Sequence, residues 1–240
     1  MKLREIYEIL NNLSPFELQE KWDNSGLQIG SFEDEIKTIH VSLDLDKELI
    51  ESLEENSLII THHPLIFSGI KSLDFDTYPS NFIQTLIKKQ ISVISMHTNF
   101  DITHLNNYVA KEILGYDISY KDGFVAYMKV DTTFDELSKK IKKDFELSYL
   151  KAIKSKENIK ILALCTGSGA SMLSDIKADC YLTGDIRYHD AMLAKALNIS
   201  MIDIEHFASE KFFGDILEKE LKNLGIKAII SKSINPFDYM

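Results

Sequence analysis

Five of the chain's seven histidines stand at or just beyond the ends of short apolar runs. The run Ser57-Leu58-Ile59-Ile60 leads directly into Thr61-His62-His63-Pro64. Neighbouring residues on a regular strand point to opposite faces. Both imidazoles reach one site only if the chain turns there, and Pro64 supplies the break. Two further segments repeat the theme. Ile91 to Met96 runs into His97-Thr98-Asn99-Phe100-Asp101, and Ile199 to Ile204 runs into Glu205-His206-Phe207-Ala208-Ser209-Glu210. In each, a carboxylate follows a histidine by four residues, one helical turn, so the two side chains share a face. Imidazoles with carboxylates at strand ends point to a metal site. Imidazole suits Zn, Fe, Co or Ni, and carboxylate extends the range to Mn. Two divalent ions roughly 3.5–4 Å apart would lower the pKa of water and supply a nucleophile at neutral pH. His62 and His63 are expected ligands, whereas His97 either ligates or orients a ligand. Asp101 and Glu210 have a second explanation as acids in the first turn of a helix. The histidine one turn earlier favours metal binding. His40 and His104 lack such sequence partners and are expected not to ligate.

Two loops add candidates. Thr166-Gly167-Ser168-Gly169-Ala170 lies between a strand and a helix. Such a turn either presents N–H groups to a phosphate or is simply a tight connection. Thr183-Gly184-Asp185-Ile186-Arg187-Tyr188-His189 places an acid, a fixed cation and an imidazole together. Arg187 either clamps a phosphate or carboxylate or forms a surface ion pair.

These residues need strands to carry them. Strands are expected at Ile36 to Leu43, Ser57 to Ile60, Ile91 to Met96, Ile159 to Cys165, Cys180 to Thr183 and Ser200 to Ile204. Helices are expected over Met1 to Leu13, Asp46 to Glu55, Pro79 to Lys89, Ser171 to Lys177 and Tyr188 to Leu197, and over the segment bearing His206 and Glu210. Ser14-Pro15-Phe16-Glu17 reads as a capped helix start. Alternating strands and helices predict an α/β fold with mainly parallel sheets, and ligands bind beyond the carboxyl ends of such strands. The halves resemble each other. Leu58 to His63 parallels Cys180 to Asp185, and His97 with Asp101 parallels His206 with Glu210. This predicts a duplicated α/β unit with lobes at 1–122 and 123–240, the boundary approximate and interleaving allowed. Phe124 to Val130 and Thr133 to Phe145 read as a strand and helix inserted between the copies.

The composition is that of a soluble globular chain: 240 residues, 45% hydrophobic and 27% charged. A net charge of −10 argues against a nucleic-acid partner. The dense cluster Lys139, Lys140, Lys142 and Lys143 alternates with apolar residues and reads as a solvated helix face. No apolar run is long enough to span a bilayer, and the amphipathic N-terminus is no export signal, so a cytoplasmic location is expected. Cys165 and Cys180 lie in apolar runs and are expected to be reduced core residues.

Trp22-Asp23-Asn24-Ser25-Gly26-Leu27-Gln28, Thr61-His62-His63-Pro64-Leu65, His97 to Asp101, Gly167-Ser168-Gly169, Thr183-Gly184-Asp185 with His189, and His206 to Glu210 together resemble the NIF-three-like family, the GTP cyclohydrolase 1 type 2 homologues, in its compact form. The resemblance implies two similar α/β lobes with a dinuclear metal centre between them, and a homohexamer. It implies His62, His63, Asp101, His206 and Glu210 as ligands of two divalent ions. The implied reaction opens the imidazole ring of GTP to give formate and 7,8-dihydroneopterin triphosphate. His97 or His189 would move the proton, and Gly167, Ser168, Gly169 and Arg187 would hold the triphosphate. The alternatives are a metal-dependent phosphohydrolase on nucleotides and a ring-shaped binding or scaffold protein. The sequence departs from the family at Glu205, where glycine is common.

Overall fold

Leu3, Ile6 and Leu10 fall on one face of helix α1 (Leu3–Leu13) and are fully buried, so the amphipathic start folds as its spacing dictates. The computed structural model describes residues 1–238; the last two positions of the expected second lobe, 239 and 240, lie outside the described residues. Strand β1 (Gly26–Ile29) is followed by β2 (Thr38–Ser42). Helix α2 (Lys47–Ser52) starts at Asp46, whose side chain accepts from the Leu49 N–H. All five residues of β3 (Ser57–Thr61) are buried, the signature of an interior parallel strand. Helix α3 (Ser80–Lys88) and strand β4 (Ser92–Ser95) then lead to a short turn, α4 (Thr98–Phe100).

Beyond Phe100 the helical path widens into a π-turn over Asp101–Leu105, narrows at α5 (Asn106–Tyr108) and widens again over Val109–Ile113. Strands β5 (Ile118–Asp122) and β6 (Val125–Thr133) pair antiparallel. Helix α6 (Phe134–Asp144) opens on a reciprocal cap between Thr133 and Glu136. It buries Phe134, Leu137 and Ile141 and leaves Lys139, Lys142 and Lys143 exposed, the solvated face expected of that cluster. Strands β7 (Lys151–Ile153), β8 (Asn158–Leu164), β9 (Cys180–Thr183) and β10 (Ser200–Asp203) alternate with a 3-10 turn at Ala170–Asp175 and helix α7 (Tyr188–Ala196). The α-helix expected at Ser171 to Lys177 is thus a shorter 3-10 turn. Helix α8 (His206–Glu210) is a single turn, followed by α9 (Phe213–Asn223) and β11 (Ile229–Ile230).

Packing divides the described chain into two units: Met1–Phe100 with Phe212–Ile234, and Asp101–Lys211 with residues 235–238. Set beside the expected lobes, the first unit stops earlier, and the chain re-enters it at Phe212. The first unit holds a sheet of order β1-β4-β3-β2-β11, in which β2, β3, β4 and β11 are parallel and β1 is antiparallel to β4. The second holds a sheet of order β5-β6-β8-β9-β10-β7, in which β8, β9 and β10 are parallel and β7 is antiparallel to β10. The series β1-β4-β3-β2 is therefore repeated as β7-β10-β9-β8, the duplicated α/β arrangement that the sequence parallels predict. Cys165 and Cys180 are buried free thiols. Among the described residues, no helix is long and apolar enough to cross a membrane.

The capped helix expected at Ser14 does not form. Ser14 closes α1, and only Phe16–Leu18 makes a 3-10 turn. The Phe16 N–H is taken by the Asn11 side chain, and Gln19 is already extended.

Candidate metal centre

In the first unit, β3 ends in a kink that solves the problem of two adjacent histidines. The N–H groups of His62 and His63 both donate to the Leu43 carbonyl, each at 3.2 Å. The Thr61 hydroxyl donates to the His63 carbonyl at 2.9 Å. With the strand's alternation broken, the two rings lie on the same side, centroids 5.0 Å apart. His97, just past β4, brings its ring to 5.1 Å from His62 and 5.5 Å from His63. One ring nitrogen from each of the three lies within 4.8 Å of the others, close enough to hold a metal ion.

Each of these rings is oriented by an oxygen. His62 Nδ1 meets the Met96 carbonyl at 2.8 Å, His63 Nδ1 meets Asp44 Oδ1 at 2.7 Å, and His97 Nδ1 meets Asp23 Oδ1 at 2.7 Å. Carbonyl and carboxylate oxygens only accept, so each Nδ1 carries the proton and Nε2 is left as the lone-pair nitrogen. Burial pushes the Asp23 carboxyl up. The hydrogen bonds from His97, Thr98 and the Asn24 N–H outweigh that and hold it well below the usual carboxylate range. Asp23 is thus ionised and acceptor-only at neutral pH. Ser25 completes the arrangement: its hydroxyl donates to Asp23 and accepts the His97 N–H.

In the second unit, His206 and Glu210 lie one turn apart on α8, with His206 Nε2 3.0 Å from Glu210 Oε2. His206 Nδ1 meets Asp185 Oδ2 at 2.7 Å, and that hydrogen bond holds the Asp185 carboxyl below its ordinary value. Asp101 is nearly buried and accepts from the Thr166 hydroxyl at 3.4 Å. Glu210 is also buried, and burial together with the charges of Asp101 and Glu210 pushes the Cys165 thiol well above its usual range. Both acids therefore converge on the carboxyl end of β8. The π-turn sets Asp101's direction, so His97 and Asp101 are not the regular helical pair that their spacing predicts.

Of the two roles expected of the glycine turn, anion cradle or tight connection, the hydrogen bonds show the connection. The Gly167 N–H donates to the Ser209 hydroxyl at 3.0 Å, and the Gly169 N–H donates to Thr183 Oγ1 at 2.8 Å. Those donors are engaged within the fold. A Cβ on Gly167, at φ +63°, would stand 2.1 Å from Glu210 Oε1. The glycine is there to let the Glu210 carboxylate approach the backbone. Ser168 is exposed at the tip of the turn. Arg187 is exposed and bound to Asp190 at 3.0 Å, where the pair caps α7. Of the two roles expected of it, the structure shows the surface ion pair. His189 is exposed on α7, its ring 5.4 Å from that of Tyr188.

What sequence reasoning missed is the orienting role of three acids, Asp23, Asp44 and Asp185. Asp44 and Asp185 each stand two residues beyond a parallel strand, after β2 and β9. A carboxylate there, beside a histidine-bearing strand, is the signal for them. Asp23 lies inside the Trp22 to Gln28 motif, which carries no apolar periodicity to mark it.

A family model described as Duf34/NIF3 (NGG1p interacting factor 3) matches residues 1–236. A Campylobacter jejuni protein named GTP cyclohydrolase 1 type 2 homolog is 50% identical over 240 residues, covering 100% of both chains. A Helicobacter pylori protein named GTP cyclohydrolase 1 type 2 is 46% identical, covering 98% of this chain and 97% of its own length. Among solved structures, a Staphylococcus aureus hypothetical protein superposes with a TM-score of 0.85 at 25% identity, covering 100% of this chain and 99% of that one.

Proposed function

We propose, since this chain belongs to the Duf34/NIF3 family, that it is a metal-dependent hydrolase acting on the purine ring of GTP. Its relatives' names, GTP cyclohydrolase 1 type 2, support the substrate and the reaction class. The observation that carries the reading is the uniform setting of four imidazoles. His62, His63, His97 and His206 each engage an oxygen acceptor through Nδ1. That is the arrangement that fixes a metal-ligating tautomer and raises its basicity.

In this reading His62, His63, Asp101, His206 and Glu210 hold two divalent ions, from the range Zn, Fe, Mn, Co or Ni. The donor set fits: neutral imidazole nitrogens with hard carboxylate oxygens suit these metals. Divalent ions held there would lower the pKa of water and so make a hydrolytic nucleophile available near neutrality. The chain's own part is to position and to move a proton. His97, held by the ionised Asp23, is set to accept a proton at Nε2 and return it to the leaving nitrogen. The low-lying Asp23 carboxyl stabilises the imidazolium in between. Asp44 and Asp185 keep His63 and His206 from rotating.

The test is product analysis after incubating metal-loaded protein with GTP. Formate release with pterin fluorescence is expected. Release of inorganic phosphate without formate would replace this reading with a phosphohydrolase. Turnover of neither kind would leave a binding protein.

A further inference from the structure

Trp22 and Phe67 are large aromatic side chains standing 55% and 49% exposed beside the imidazole group. In the same unit Phe100 and Phe213 are fully buried, whereas Phe75 and Tyr78 are exposed as this pair is. The Trp22 and Phe67 rings lie 5.9 Å apart, tilted by 50°. Both meet His97 at 6.2 Å in edge-on fashion, Trp22 at 75° and Phe67 at 74°. An edge-on contact sets one ring's rim against the other's face, so the imidazole covers at most one face of each aromatic ring and leaves the other for stacking.

The two rings are carried by loops that are bonded together. Asn24 Nδ2 donates to the Ile66 carbonyl at 2.6 Å, and the Ile66 N–H donates to Gln28 Oε1 at 3.1 Å. Gln28 Nε2 returns to the Asn24 carbonyl at 2.6 Å. Asp23, next to Trp22, is held by His97 and Thr98. The motif from Trp22 to Gln28 therefore fixes the aromatic pair and the imidazole in one frame. On its far side Phe67 borders a cleft of about 390 Å³, lined also by Tyr78 and by the cation Lys71. That volume falls in the range of small-molecule sites.

We infer that Trp22 and Phe67 form a stacking platform for a planar purine base, holding it edge-on to the His62, His63 and His97 group. A centroid distance of 5.9 Å is too short to admit a third ring between the two, so the base lies on an outer face. Base–aromatic stacking is sequence-tolerant because every base has a π-face. The platform thus sets the class of ligand, a planar nucleobase; that the base is a purine comes from the proposed function, and its substituents are left to other groups. This inference rests on the reading of the imidazole group as the reacting centre for a nucleotide.

Trp22 is the only tryptophan, so its fluorescence reports on the platform alone. Guanosine is titrated into the full-length protein, with and without chelator, while ribose 5-phosphate and tripolyphosphate serve as baseless probes. Saturable quenching by guanosine and none by the baseless probes is expected, with or without metal. Phe67→Ala is expected to weaken guanosine binding about tenfold or more, and Phe67→Tyr to preserve it. Phe67 is half exposed, so circular dichroism of the variant is expected to match the parent. Equal quenching by tripolyphosphate, or an unchanged guanosine affinity in Phe67→Ala, overturns the platform. Because this readout needs no turnover, it separates from the hydrolase reading: formate release can fail while stacking holds, and the reverse.

Discussion

Glu205 occupies backbone geometry that glycine accepts and glutamate resists, with φ +59° and ψ 145°. Such a position costs a non-glycine residue about 1–3 kcal/mol. Its N–H is held by Asp203 Oδ1 at 3.0 Å, and Asp203 is in turn bound by Lys151 at 2.7 Å. The strain sits immediately before His206. Glu205→Gly is expected to stabilise the protein by about 1 kcal/mol in urea unfolding; a loss of stability would show the geometry to be relaxed. The sequence marks this position as unusual, yet its backbone reason is invisible there, because a dihedral angle is set by the turn that Asp203 ties. Asp23 makes a second case. Asp23→Asn removes the charge that orients His97 and is expected to lower turnover of the metal-loaded protein about 10–100-fold. The rate of formate release from GTP checks it, and an unaltered rate would mean that His97 needs no such anchor. His62 and His63 are legible because a continuous apolar run ends on them. Asp23, Asp44 and Asp185 are not, because a lone acid beyond a strand is commonplace, and only the fold shows which ring it faces.

Elements carried by periodicity are the legible ones. β3 and β4 announce themselves as apolar runs, and α1 by Leu3, Ile6 and Leu10. α9 carries the spacing Phe213, Ile216, Leu217 and Leu221, but only two residues part it from α8, so spacing alone does not separate them. The π-turn at Asp101–Leu105 has no sequence signature, since its apolar spacing differs from a helix by one residue over one turn. Capping chemistry is informative only where a helix follows. Ser14 to Glu17 has the motif without the helix, while Thr133 and Glu136 have both, bonded at 3.3 Å and 3.0 Å. Thr133→Ala is expected to lower stability by about 1 kcal/mol with no effect on metal content. Urea unfolding alongside elemental analysis checks both halves of that statement.

At the scale of the molecule the two sheets share one plan, three parallel strands with an antiparallel strand beside the last of them. The roles within the plan are exchanged. The turn after β3 supplies His62 and His63, and the matching turn after β9 supplies Asp185, which orients a histidine. A duplication whose copies have diverged in this way explains why sequence parallels reveal the repeat while missing who holds whom. The homohexamer implied by the family resemblance is a proposal about assembly. Sedimentation at micromolar concentration is expected to find six chains, and a monomer would overturn it.

The first unit's broken path through the chain also bears on the ribosome. Its sheet is completed by β11, whose Ile229 and Ile230 pair with His40 and Val41 on β2. The Ser233 hydroxyl then accepts the N–H groups of Leu43 and Asp44, at 3.0 Å and 3.1 Å, and Asp44 is the acid that orients His63. Domains tend to fold as they emerge, N-terminal part first. Here the earliest-made strands wait with an open edge while the whole second unit is translated, on the order of ten seconds at ordinary elongation rates. A nascent chain stopped before Phe212 would hold its histidines but lack the last clasp on one of them.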